Sequence, residues 1–403
     1  MPYFQYEAVT SSGKKTRGQI RAINKYAAIS ELREKGIQIR SVQESEASLL
    51  QKEIFIGRAV KLQDFVVFCR QFAVLIRSGV QIDEALNILE KQTQSKYLKR
   101  ALGEVHDQVR TGQALSVSME QHPKIFPEMF ISMIASAEAA GNMDDVLDRM
   151  ALHYEKEHKT VQKIKSAMTY PIIVMIVTNL VVAFLLMKIV PTFAAMFEDQ
   201  GEELPWITKF VMGASDFVTD WWWIILLAIV GLVTVFQLLL KKEEIRYEVD
   251  KLSFKIPIFG SLLKKAAIAR MSRNLSSLYL SAVPLLQSID ITQKVIGNKA
   301  FEKVLQGAKE SLSEGKQLSD PFRESGMFPE MFLHMLYVGE ETGQIDQMLV
   351  KIAEFYEDDV DNSVDKLKAT IEPLLLLFVS CIVGVIVAAM LSPMFAMYEN
   401  FLN

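Results

Sequence analysis

Six carboxylates flank one kind of helix turn at two places in this 403-residue chain: Glu138, Asp144 and Asp145, then Glu340, Glu341 and Asp346. Oxygen ligands gathered at a turn are what a hard cation such as Ca²⁺ takes, so Glu138, Asp144, Asp145, Glu340 and Asp346 are the candidate metal ligands. Capping and solvation of helix ends compete for the same side chains. Other chemistry has less to stand on. The histidines are His106, His122, His153, His158 and His334; His153 and His158 lie five apart, off a shared helical face, and no His-Glu-x-x-His occurs. Gly307 and Gly315-Lys316-Gln317 lack Walker A spacing and its Ser or Thr, and Ser12-Gly13-Lys14 reads as a hairpin turn. No Gly-x-Ser-x-Gly elbow is present. Cys69 and Cys381 are the only cysteines, too few for a disulfide scaffold or a cysteine metal cluster. An enzyme is not expected, and no cofactor beyond that Ca²⁺.

The elements around these residues are partly membranous. Uncharged apolar runs fill 171–187, 221–240 and 373–398. At 1.5 Å per residue, about 20 helical residues cross a 30 Å hydrocarbon core. Three transmembrane helices are therefore expected, with Lys188 snorkelling near the end of the first and Trp221–Trp223 anchoring the second. Residues 1–40 are polar and charged, so no signal peptide is expected. The 44 Lys+Arg against 48 Asp+Glu, net −4, argue against a nucleic-acid partner. Residues 191–220 hold one cation, Lys209, whereas Lys156, Lys159, Lys163 and Lys165 precede span one. Lys241, Lys242, Arg246, Lys251 and Lys255 follow span two. The positive-inside rule puts the N-terminus in the cytoplasm and the C-terminus outside.

The chain also repeats itself with an offset of about 202–203 residues. Arg70-Gln-Phe-Ala matches Arg273-Asn-Leu-Ser, and Phe126-Pro127-Glu128-Met-Phe is identical to Phe328-Pro329-Glu330-Met-Phe. Glu138-Ala-Ala-Gly141 matches Glu340-Glu-Thr-Gly343, and Tyr154-Glu matches Tyr356-Glu. Each half reads as about six helices. Phe65, Phe68 and Phe72 make an apolar stripe that stops before Gly79, and Pro127 and Pro329 stand at helix starts. Gly141 and Gly343 suit left-handed helix ends, and Asp144 is placed to cap the next helix. Alternating residues 3–9, a turn at Ser12-Gly13, a strand over 16–23, a helix from Asn24 to Gly36 and a strand over 37–42 predict an N-terminal ββαβ module.

The expected fold is mainly α, a polytopic membrane protein with two repeated cytoplasmic helical bundles. Its order is the module (1–42), linker (43–60), bundle one (61–168), span one (169–197), external loop (198–220) and span two (221–240). A basic connector (241–266), bundle two (267–371), span three (372–398) and an external tail (399–403) follow. On span three Ser380, Gly384, Ala388 and Ser392 form a small-residue seam suited to close helix packing, internally or with a second protomer.

These paired motifs, with Tyr170-Pro171 before span one, Glu372-Pro373 before span three and the opening Phe4-x-Tyr6-x-Ala8, resemble the type II secretion F / type IV pilus PilC family of inner-membrane platform proteins. The resemblance covers essentially the whole chain. Its one small departure is Ala282 where the first copy has Gly79. It implies a bacterial inner-membrane platform that contacts a cytoplasmic assembly ATPase, pilins or pseudopilins and other inner-membrane assembly proteins. It also implies a divalent cation on the soluble domain. Membrane lipids and a homo-oligomer complete the expected partners. A transporter or channel subunit is the alternative; one peripheral Lys and no intramembrane acid make a poor solute path, and liposome flux separates the two.

Overall fold

The computed structural model describes residues 3–9, 15–21, 29, 38–45, 60–192, 205–257 and 259–402. The chain divides into two units, 1–59 and 60–403. The first contains strands β1 (Tyr3–Val9), β2 (Lys15–Arg21) and β3 (Gln38–Ser45). They form one antiparallel sheet of order β2-β1-β3, with Tyr3 opposite Arg21 on one side and Ser45 on the other. The pairing with β3 slips between Glu7 and Ala8. The ββαβ expectation is corrected here. Among the described residues of this unit there is a three-stranded sheet and a single helical residue, Ile29, and the expected helix over 24–36 otherwise lies outside them. β3 also runs into the stretch expected as linker, and residues 46–59 lie outside the described set.

Among its described residues the second unit is built of helices joined by turns. Its first half comprises α1 (Leu62–Arg77), α2 (Ile82–Gln92), α3 (Lys96–Arg110), α4 (Leu115–Glu120), α5 (Glu128–Ala140) and α6 (Met143–Phe184). A π-helical stretch, Leu185–Ile189, continues α6 to Thr192. After α7 (Trp206–Leu239) and α8 (Glu243–Ser253) the pattern recurs. The second set is α9 (Phe259–Leu280), α10 (Leu285–Val295), α11 (Lys299–Ser313), α12 (Ser319–Glu324), α13 (Glu330–Thr342) and α14 (Ile345–Leu402).

Local chemistry explains the punctuation. Pro127 and Pro329 stand immediately before α5 and α13, where a missing N–H costs nothing. Both helices end on glycines in the left-handed region, Gly141 (φ 73°) and Gly343 (φ 70°). α1 ends on Gly79 at φ 83°, and its counterpart Ala282 keeps φ 62° despite its Cβ. Asn142 rather than Asp144 occupies the N-cap of α6; Asp144 and Asp145 lie in the first turn, as Asp346 does in α14.

The phenylalanine stripes are core. Phe65, Phe68, Phe72, Phe126, Phe130 and Tyr154 are buried together in the first half, and Phe301, Phe322, Phe328, Phe332 and Tyr356 in the second. Leu278, Val283 and Ile291 of the second half belong to the first core, so the halves share packed surface.

Of the three expected spans, the second is bent. Among the described residues two helices are long and apolar enough to cross a bilayer as they stand, Met143–Thr192 and Ile345–Ser392. The third candidate passes only as a pair, Trp206–Ile224 and Leu226–Leu239, bent by 51°. Residues 206–220, expected as loop, are helical and lie on the other two spans: Ile207, Val211 and Met212 meet Val190, Ile386 and Ala389. Thr208 Oγ1 donates to the carbonyl of Ala389 (2.7 Å), and Ser215 Oγ to that of Leu186 (3.2 Å) within the π-helical stretch.

Candidate functional site

Each half braces its first helix against its long helix with one arginine. In the first, Arg70 of α1 donates Nε to Glu155 Oε1 (2.7 Å) and Nη2 to Glu155 Oε2 (2.8 Å), and Nη1 to Asp148 (2.9 Å). In the second, Arg273 of α9 donates Nε to Glu357 Oε1 (2.6 Å) and Nη2 to Glu357 Oε2 (2.8 Å). The planar guanidinium fork suits this two-pronged grip on a carboxylate. The Arg70 hydrogen bond holds the Glu155 carboxyl below its ordinary value. At Glu357, burial pushes the carboxyl up, but the Arg273 bond and charge, with Lys156, pull it below its ordinary value.

The second brace is where the halves join. Lys156 of α6 reaches across to Glu357 (3.0 Å), and Lys163 pairs with Asp361 farther along the two long helices. His153 is buried against α9, its Nδ1 3.5 Å from Ser277 Oγ. Burial first, and then the Arg273 charge, lower its pKa to about 4. Ser136 donates to the Ser281 carbonyl (2.6 Å), Arg149 to that of Leu280, and Lys294 reaches Glu128 (2.7 Å). A cavity of about 450 Å³ lined by Ser116, Ser132, Ser136, Val283, Pro284 and Gln287 opens beside this joint.

The acidic turns use their oxygens in a repeated way. Glu138 accepts from the Leu115 and Ser116 backbone N–H groups (2.6 and 3.1 Å) and from Ser116 Oγ (2.5 Å). Glu340 accepts from the Leu318 and Ser319 N–H groups (2.5 and 3.2 Å). Both satisfy the unpaired donors at the start of a short helix, α4 or α12. Glu341 accepts from Gln317, and Asp144, Asp145 and Asp346 sit in first helical turns. Among the described residues no three His, Cys, Asp or Glu side chains converge on one point.

The repeat motif splits by burial. Phe126 and Phe328 are core, Pro127, Pro329, Gly141 and Gly343 punctuate, and Glu128 takes part in the joint through Lys294 while Glu330 opens α13. Of the span-three seam, Ser380, Gly384 and Ala388 are exposed, and Ser392 is half-buried. Span three meets the rest of the chain through Ile382, Ile386, Ala389 and Met390 instead. Sequence reasoning did not single out the two braces, although Arg70/Arg273 and Glu155/Glu357 both fall inside the repeated blocks.

Among the described residues this arrangement brings together no nucleophile and base and no phosphate cradle. It ties two helical bodies to one another through charged bonds and to the membrane through unbroken helices. At 1.5 Å per residue, the 50 residues of Met143–Thr192 make a rod of about 75 Å, more than twice the thickness of a 30 Å hydrocarbon core.

Comparison with known proteins agrees with that architecture. The family model described as type II secretion system (T2SS), protein F matches residues 68–191 and again 271–393, and the model of that protein's N-terminal domain matches residues 1–43. The chain is 36% identical over 396 residues to the type IV pilus assembly protein PilC of Myxococcus xanthus, covering 98% of this chain and 94% of that one. It is 37% identical over 403 residues to PilC of Thermus thermophilus, covering 98% of each. It is 30% identical over 402 residues to the type II secretion system protein F of Pseudomonas aeruginosa, covering 99% of each. With both repeated halves and the N-terminal segment matched, the chain belongs to the type II secretion system protein F family.

Proposed function

We propose that this protein is a non-enzymatic platform of a type IV pilus or type II secretion-like fibre assembly machine in a bacterial inner membrane. It couples a cytoplasmic assembly ATPase to the movement of pilin or pseudopilin subunits from the bilayer into the fibre. The names of the relatives support the machine. The observation that carries the coupling role is the joint itself, where Lys156 of one membrane-entering helix shares Glu357 with Arg273 of the other half. A push on either bundle reaches both long helices. The basic flanks of the spans favour a cytoplasmic N-terminus and an external C-terminus.

Deleting the gene and scoring surface fibres and exported substrates tests the reading. Loss of one or the other, restored by the wild-type chain, is expected. A complementing chain with Lys163→Asp should restore less, and one with Lys163→Asp and Asp361→Lys together should recover. Deletion that leaves both fibres and export intact would overturn the platform role.

A further inference from the structure

The connector that follows α7 exposes apolar side chains. Leu252 (63%) on α8, Ile256 (48%) in the turn after it, and Phe259 (40%) and Leu263 (46%) at the start of α9 are open. Lys251, Lys255 and Lys264 stand among them, and residues 251–266 contain four cations, counting Lys265, and no acid.

The patch is firmly built. Asp250 accepts the Lys299 N–H (2.7 Å) at the start of α11, and the Phe254 ring sits 5.7 Å from Phe301 of the second core. Gly260 donates to the Ile256 carbonyl (2.8 Å), and a Cβ there would lie 2.3 Å from the Phe254 oxygen. Only glycine allows this approach, which holds the start of α9 against Phe254.

Its height along the molecule is set by Leu262. That side chain is buried with Ala167, Val360, Val364 and Leu367 of the two long helices. Ala167 lies four residues before Pro171 and Leu367 six before Pro373, where the apolar runs begin. These are about 6 and 9 Å of helix. The headgroup layer on each side of a 30 Å hydrocarbon core is about 5–8 Å deep. Phe259 and Leu263 flank Leu262, so they lie at the level of the headgroups. Large apolar groups interleaved with lysines suit that boundary.

We infer that residues 251–257 and 259–264 form an interfacial anchor that seats the second bundle on an anionic lipid surface. The choice of the anionic cytoplasmic leaflet rests on the topology proposed above.

The test uses the full chain with Cys381→Ser; Cys69 is buried and does not label in the folded protein. Single cysteines carrying an environment-sensitive fluorophore replace Leu252, Ile256 or, as a control, Lys316. The control follows α11, about 22 Å of helix from Lys299. The protein is placed in nanodiscs of phosphatidylcholine or phosphatidylglycerol, with and without a lipid spin-labelled near its headgroup. In phosphatidylglycerol the 252 and 256 probes should be quenched by the spin-labelled lipid and shielded from aqueous iodide, and the 316 probe should be neither. Replacing Lys251 and Lys255 by Gln should weaken the seating about fivefold per lysine.

Iodide access at 252 and 256 equal to that at 316 overturns the anchor. Equal shielding in both lipids overturns its anionic preference. Shielding from iodide without lipid quenching means that protein covers the patch, and overturns it as well. Both leaflets of a disc are alike, so these outcomes do not depend on which side the N-terminus occupies in the cell.

Discussion

The Arg70–Glu155 and Arg273–Glu357 braces occupy the same places in the repeat, yet they live in different surroundings. The Arg70 side chain is 37% exposed, that of Arg273 14%. Around Arg70 the further partner is Asp148, from the same half, which also takes Arg77 at 3.1 Å. Around Arg273 the further partners come from the other half: Lys156 on the carboxylate and His153 beside it. One local device thus serves twice, once to close a bundle and once to lock two bundles together. Burial converts a minor surface contact into the joint of the molecule. Such a bond is worth little in water but is costly to break when its partner would be stranded.

The largest expected effect that separates the two regions is with pH. His153 has an ordinary value of 6.5 and is held near 4 in the folded chain. Below pH 6.5 the unfolded chain takes a proton that the folded one refuses, so stability falls as pH drops from 6.5 toward 4, by about 3 kcal/mol at most. The lowered carboxyls of Glu155 and Glu357 act in the same direction at lower pH: their contribution is present above the ordinary carboxyl range and is lost as they protonate. The equivalent position in the second half is Phe355. His153→Phe should flatten the unfolding temperature of the solubilised protein between about pH 7 and pH 4.5, leaving the steeper acid limb. An unchanged slope in that window would remove His153 from the joint's energetics.

Next in size is the contrast between the arginines. Arg273→Ala strips the fork from a mostly buried carboxylate and should cost about 2–3 kcal/mol, with Lys156 left as partial cover. Arg70→Ala acts on an exposed pair and should cost about 1 kcal/mol or less. Denaturant midpoints of the two variants, measured side by side in one detergent, give the ordering. Equal losses would mean that the joint adds nothing to the brace.

Much of this architecture is legible in the sequence, and the gaps have physical causes. Periodicity and punctuation reveal the helices because Pro127, Gly141 and their copies act on their own backbone. The braces stay hidden because Arg70 and Glu155 stand 85 residues apart, and a repeat shows that two positions are equivalent without showing what they touch. Residue type alone does not distinguish a carboxylate that caps from one that ligates. The fold decides by bringing the Leu115 and Leu318 N–H groups onto Glu138 and Glu340. Hydropathy over 221–240 locates the apolar stretch but not the helix start at Trp206, which depends on tertiary bonds from Thr208 and Ser215.

The turn after the first helix of each half gives a smaller test. Gly79 and Ala282 share a left-handed backbone, which a side chain enters only with strain. A Cβ at Gly79 meets nothing within 4 Å, so Gly79→Ala isolates that strain and should cost about 1 kcal/mol. Ala282→Gly relieves it but loosens the unfolded chain, and the net gain should be about 0.5 kcal/mol or less. Opposite signs in thermal unfolding are the expected signature. A gain from both would show that crowding rather than φ governs this turn.

The smallest effect is expected where the spans diverge most. In span one Val182, Leu186 and Val190 pack inward against α7 and span three. The matching positions of span three are Gly384, Ala388 and Ser392, and Gly384 faces open space: a Cβ at that position would meet nothing within 4 Å. Equivalent positions therefore point to different neighbours, because span three turns Ile382, Ile386 and Ala389 toward the interior instead. Gly384→Leu should insert normally, since Leu favours the bilayer, and should leave the unfolding temperature of the isolated protomer unchanged. Ala389→Leu, by contrast, overfills a site already closed by the Thr208 bond and should cost about 1–3 kcal/mol. A loss from Gly384→Leu as large as that from Ala389→Leu would mean that the small-residue face is already occupied within the chain. Particle size measured on the same samples separates that case from a face used between protomers, where only the assembly would shrink.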